Sequence, residues 1–143
     1  MADEFSYRVQ DASLNPAAIA LPAGAATTVD GASVDMGTAN SDDLNPRLEQ
    51  FEFDIAIPAL DATAMPNTRT LSISIEDSDD DLTFVAIATD ILILTGAGGV
   101  GTSAASVRYR LKTDARRYIR VSAVTGAGTG SLAASDMTVT LRF

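Results

Sequence analysis

The 143-residue sequence predicts an all-β fold, an antiparallel two-sheet sandwich with a less regular N-terminal arm. Three observations predict it. Apolar and polar residues alternate with period two through five separate segments, the pattern of half-buried strands. Stretches rich in Gly, Pro, Asn and Asp punctuate those segments. No stretch carries the period of a long amphipathic helix, whereas parallel strands need crossovers of about a dozen residues or more, usually helical. The sheets are therefore expected to be antiparallel.

Residues 1–47 are the least regular part and are read as an extended arm. They hold short candidate strands at Ala18–Leu21 and Thr27–Met36. Pro16 and Pro22 leave room between them for at most one helical turn. Phe51, Phe53, Ile55 and Ile57 then alternate with Glu52, Asp54 and Ala56. Leu71, Ile73 and Ile75 do the same with Ser72, Ser74 and Glu76. Residues 82–94 differ, because both faces are apolar: Leu82, Phe84, Ala86 and Ala88 on one, Val85, Ile87, Ile91 and Ile93 on the other. Such a run fits a central strand or strand pair covered on both sides, or a strand whose outer row meets another subunit. Val107, Tyr109 and Leu111 alternate with Arg108, Arg110 and Lys112; Ile119, Val121 and Ala123 alternate with Tyr118, Arg120 and Ser122. Met137, Val139, Leu141 and Phe143 close the chain against Thr138, Thr140 and Arg142. One domain of about seven or eight strands is expected, jelly-roll or immunoglobulin-like. The absence of Cys and Trp removes the core of an antibody domain and tilts the choice to a jelly roll.

Composition removes many activities. Cys and His are also catalytic staples, and neither is present, so thiol nucleophiles, His relays and Cys/His zinc sites are excluded. Ten basic residues against 19 acidic ones give a net charge of −9, which disfavours a phosphate backbone as partner. No nucleic acid, membrane or small-molecule substrate is expected as a partner. The acidic start, Met1-Ala2-Asp3-Glu4, does not read as a secretory signal, and residues 82–94 fall short of the ~20 needed to span a bilayer. A soluble protein used without export is expected.

Two motifs invite chemistry. Gly96-Ala-Gly98-Gly-Val-Gly101 follows a strand-like run and matches the dinucleotide pattern G-x-G-x-x-G. That site requires a helix opening at the last glycine, and the strand pattern from Val107 leaves no room for one, so an interstrand loop is expected. Asp77, Asp79 and Asp81 have the first three spacings of a calcium loop, yet loop position six is Leu82 and position twelve is Ala88. A solvated turn is the simpler reading. No carboxylate pair is singled out by its neighbours, and no G-x-S-x-G elbow exists. The sequence predicts neither an enzyme nor a cofactor or metal site.

Charge placement is the one non-random polar feature. Residues 108–120 hold Arg108, Arg110, Lys112, Arg116, Arg117 and Arg120 against the single acid Asp114, a net of +5. Arg108, Arg110 and Lys112 share one strand face, and Arg116 and Arg120 the next. A hairpin turning near Thr113–Ala115 would present one basic patch. The patch either pairs with acids of the same subunit, such as Glu52 and Asp54, or docks onto an acidic partner.

The order of these features resembles the small jelly-roll cement (decoration) proteins of tailed-phage capsids, of the kind found in Bordetella podophages. The resemblance rests on Asp11-Ala12-Ser13, on Ala25 through Val34-Asp35-Met36-Gly37, and on the Thr70–Asp81 strand and acidic turn. It continues through Arg117-Tyr118-Ile119-Arg120-Val121, the 126–130 turn and the closing strand. It implies a structural protein on the outside of a virion capsid, assembled in the host bacterial cytoplasm. Such a protein bridges major capsid protein subunits and self-associates as dimers or trimers. The N-terminal arm and one loop-bearing end are the expected contacts, with Arg108, Arg110, Lys112, Arg116, Arg120 and Tyr118 as second choice. A carbohydrate-binding or adhesin-like sandwich is the alternative, for which only Tyr7 and Tyr118 are available as stacking rings.

Overall fold

A computed structural model describes residues 16–36 and 51–142. The described chain is all-β: nine strands and no helix. None of its segments is therefore a helix long and apolar enough to cross a membrane. The strands are β1 (Ile19–Ala20), β2 (Thr28–Asp30), β3 (Val34–Asp35), β4 (Glu52–Ile57), β5 (Thr70–Ser78), β6 (Val85–Thr95), β7 (Ala105–Arg110), β8 (Tyr118–Thr125) and β9 (Asp136–Arg142).

Two antiparallel sheets face one another. One has the order β1-β9-β4-β7; the other runs β2-β8-β5-β6, with β3 also paired to β8. The core between them is the set of rows that period two assigns inward. Phe53, Ile55 and Ile57 of β4 and Met137, Val139 and Leu141 of β9 meet Leu71, Ile73 and Ile75 of β5 and Ile119, Val121 and Ala123 of β8. All are buried, and each large aliphatic among them contributes about 1.5–3 kcal/mol by leaving water. A shift of one residue in any of these strands would turn its apolar row outward, so the core itself fixes register.

Most connections cross from one sheet to the other; only β5 and β6 are consecutive neighbours in one sheet. β2 and β3 act as one strand broken at Gly31, because both pair with β8 in successive registers. Ile19 packs against the bare backbone of Gly31, where a Cβ would overlap its side chain, and the Gly31 N–H still donates to Val121 of β8. Residues 16–36 are thus built into both sheets, with Ile19, Leu21 and Val34 in the core. The rest of the expected arm, with Tyr7 and Asp11-Ala12-Ser13, lies outside the described residues.

Two expectations are corrected. Residues 82–94 do not form a central strand: among the described residues β6 ends its sheet, paired on one side with β5 alone. The two-faced apolarity arises because Leu92 and Leu94 sit opposite the buried Ile73 and Leu71, while Ile93 sits opposite Ser72 and is 54% exposed. The expected hairpin near Thr113–Ala115 is absent as well. β7 pairs along its length with β4, and β8 with β5 and β2, so residues 111–117 carry the chain between sheets. A tight hairpin loop has about two to five residues, and this link is seven long, pinned by buried Leu111 and by the Leu111 N–H bond to Phe51.

Candidate functional site

The basic residues singled out by sequence are dealt to two opposite faces. On the four-stranded sheet, inward Phe53 and Ile55 leave Glu52 and Asp54 pointing out from the middle strand. Register sets Glu52 between Arg110 and Arg142, and Asp54 beside Arg108. Arg108 Nε lies 3.6 Å from both acids, Arg110 4.0 Å from Glu52, and Arg142 2.9 Å from Asp54. The acids form a floor and the guanidiniums a rim: Arg108 and Arg110 side chains are 63% and 72% exposed, those of Glu52 and Asp54 only 23% and 17%. Around Glu52 and Asp54 three cations stand over two anions, while exposed Asp136 at the other end of β9 brings the outward strand residues of this face into balance. Pairing with Glu52 and Asp54 is the arrangement sequence offered as one of two readings; the rim stays open to a second partner. Such exposed pairs contribute about 0–1 kcal/mol each to folding, so little is lost by re-pairing them.

The five-stranded face is closed by contrast. Arg120 reaches Glu76 at 2.7 Å and Asp30 at 3.0 Å, and its guanidinium lies 4.0 Å above the Phe84 ring. Ser122 donates to Asp30. Arg117 makes two 2.7 Å bonds to Asp35 and stacks 4.9 Å from the Tyr118 ring centre. The Asp35 carboxylate, the largest cause, raises the Arg117 pKa further. Arg116 lies in the crossing segment, 3.4 Å from Asp79, and its N–H donates to the buried carboxylate of Asp77. Arg116, Arg120 and Tyr118 are therefore engaged within the chain, and Arg108, Arg110 and Lys112 form a separate group.

The acidic turn is organised by hydrogen bonds. Asp80 Oδ1 accepts from the N–H groups of Thr83 and Leu82 and from Ser78 Oγ, in that order of effect, which lowers its pKa from 3.8 to about 2. Asp77 turns inward, while Asp79 reaches Arg116. Among the described residues no group of three ligating side chains is placed to hold a metal. Gly96–Gly101 forms the β6–β7 link, as expected. Gly98, Gly99 and Gly101 all have positive φ, and the chain runs on into β7 with no helix.

Arg69 is the residue that sequence reasoning missed. It is 1% exposed, and its guanidinium donates to the carbonyls of Ala64, Thr129 and Gly24 at 2.8–3.1 Å. Its own backbone bonds Pro66 and Gly96. The side chain thereby ties the β1–β2, β4–β5 and β8–β9 links together, and the Arg69 carbonyl adds the β6–β7 link through the Gly96 N–H. The nearby glycines, Gly24, Gly128 and Gly130, were the available signal, because bare backbone is what a buried guanidinium binds without a carboxylate. Tyr109, at the β7 edge, has a buried hydroxyl without a hydrogen-bond partner; burial, then Asp114 and Asp77, raises its pKa.

A scan of the chain against protein-family models gives no match, and neither does a search of curated proteins.

Proposed function

We propose that the protein is a jelly-roll structural component of a tailed-phage virion. It adheres to the outside of the expanded icosahedral shell and stabilises it by bridging major capsid protein subunits. The strand order supports the topology. With β2 and β3 counted as one broken strand, 1-9-4-7 faces 2-8-5-6, the arrangement in which two Greek keys wrap around each other. The resemblance to capsid cement proteins supports the role.

The observation that carries the adhesion reading is the rim of exposed guanidiniums gathered around Glu52 and Asp54 on the four-stranded face of a chain of net charge −9. Arg108, Arg110 and Arg142 stand above their acids, free to re-pair with carboxylates of a shell subunit. Charge of this kind steers encounter and fixes register. Binding confined to the expanded shell stabilises it by RT ln(1 + [L]/Kd), about 2.7 kcal/mol at a hundredfold excess over Kd. Repetition over the lattice turns modest contacts into lasting ones.

Co-sedimentation with expanded shells of the major capsid protein from the same genome tests the reading. The protein pellets with shells, and the double variant Arg108→Glu, Arg110→Glu binds about tenfold or more weakly, with a smaller salt dependence than the wild type. Wild-type protein left in the supernatant contradicts the proposal.

A further inference from the structure

We propose that Asp30–Gly31 is a latent site of self-modification, where an isoaspartyl bond forms once three consecutive residues of β8 release their hold on it. Asp-Gly occurs once in the chain. A glycine, lacking Cβ, offers the least hindered amide nitrogen to the carboxyl group of the residue before it. The pair also sits where the sheet is thinnest. Asp30 ends β2, a strand of three residues, and Gly31 lies in the break before the two-residue β3. Among the described residues β2 and β3 pair only with β8. Short strands at a sheet's end open at lower cost than core strands.

The chemistry needs no partner beyond water. The Gly31 nitrogen bonds to Asp30 Cγ; its amide proton and one taken from solvent leave with a carboxylate oxygen as water. The product is a five-membered succinimide. Water then adds to the former main-chain carbonyl of Asp30 and breaks its bond to the Gly31 nitrogen, returning the solvent proton. The chain now runs through Cβ and Cγ, and the old main-chain carbonyl has become a carboxylate. Nothing is oxidised or reduced, and the mass is unchanged.

In the folded chain both reacting groups are held apart by β8. Asp30 Oδ1 accepts from Ser122 Oγ at 2.8 Å, and Oδ2 lies 3.0 Å from Arg120 Nη2. Between those two residues, the Val121 carbonyl accepts the Gly31 N–H at 2.8 Å. Arg120 is itself fixed, 2.7 Å from Glu76 and over the Phe84 ring. Attack therefore requires the carboxylate to leave a charged and a hydroxyl donor, and the amide to leave its acceptor, in one opening of β2.

The folded chain also disfavours the product. An isoaspartyl bond adds one methylene to the main chain, and there is no slack at Gly31: Ile19 packs where a Cβ would stand, and the Val121 carbonyl oxygen is 3.3 Å from that position. β2 pairs with Ser122–Val124 and β3 with Tyr118–Ile119, so a longer link cannot keep both in register. The modification thus marks copies in which β2 has opened and prevents their return. This inference concerns the chain alone. Its test uses the protein without shells, so it fails or succeeds separately from the adhesion reading.

The experiment is peptide mapping of the full chain after ageing at neutral pH, with electron-transfer fragmentation to tell isoaspartate from aspartate. Unfolded in urea, the wild type gains isoaspartate at residue 30 faster than at any other aspartate. Folded, it does so about tenfold or more slowly, because only the open fraction reacts. The double variant Arg120→Met, Ser122→Ala raises the folded rate about tenfold, with unchanged far-ultraviolet circular dichroism. Asp30→Glu, which would need a six-membered ring, abolishes the reaction. The wild type supplies a readout that needs no variant: below the unfolding transition, the rate rises with urea in proportion to amide exchange at Gly31. An unfolded chain that stays unmodified at residue 30 overturns the proposal. So does a folded chain that reacts as fast as the unfolded one, a folded double variant as slow as the wild type, or a rate that ignores Gly31 exchange.

Discussion

Arg69 shows how one side chain can hold an end of a sandwich without an ion pair. Its planar guanidinium spans three carbonyls that belong to three different links. Arg69→Met keeps the apolar volume but removes the donor to Ala64 and Thr129, while the Gly24 carbonyl keeps its bond from Thr125 Oγ1. A loss of about 2–4 kcal/mol in urea unfolding is expected, since bonds to charged groups are worth about 1.5–3 kcal/mol each. Lysine cannot reproduce the fork, so Arg69→Lys recovers only part of the loss. Asp80 gives the pH-dependent counterpart. Its folded pKa, about 2, lies below its ordinary value of 3.8, so folding favours the ionised form. Its contribution is complete above pH ~4 and disappears as pH falls through about 2. The stability difference between wild type and Asp80→Asn should therefore be constant near neutrality and shrink between those limits. A difference that grows on acidification contradicts the assignment.

At the scale of elements, the strands with one apolar row were legible in the sequence, and those with two were not. β4, β5, β8 and β9 form where alternation places them, because a sheet with one wet face imposes period two directly. β7 begins earlier than its alternation implies, at Ala105, and stops at Arg110, since Leu111 is drawn into the core as the chain leaves the sheet. β6 was misread because a strand buried on both faces and an edge strand with an apolar flank share one composition. Pairing separates them, and pairing is not written in a strand's own residues. The same limit explains the missing hairpin: Thr113–Ala115 has turn chemistry whichever sheet the next strand joins. It also explains why half of the basic patch was found, with Arg108 and Arg110 side by side, while Arg120 lies on the opposite face. The glycine loop was legible because a helix needs residues that the chain spends on β7. Gly101 is required there, with φ near +83 and a position where any Cβ would overlap the Leu60 carbonyl oxygen. Gly101→Ala should cost about 2 kcal/mol or more and weaken the Leu60–Thr102 bridge, seen as faster amide exchange at Thr102. Unchanged stability would mean that the link can adopt another path.

For the whole molecule, the four-stranded face carries the charged rim, and repetition of one such contact over many lattice sites is how weak contacts gain avidity. The physical idea is adhesion by a rigid body: the buried rows and the Arg69 clamp fix the surfaces before binding, which limits the ordering cost of association. Differential scanning calorimetry of expanded shells, with and without saturating protein, tests this account most directly. The account predicts that the shell transition moves to higher temperature in proportion to occupancy and returns to its original value when salt strips the protein away. A shell transition that stays in place while the protein is present in excess would contradict it.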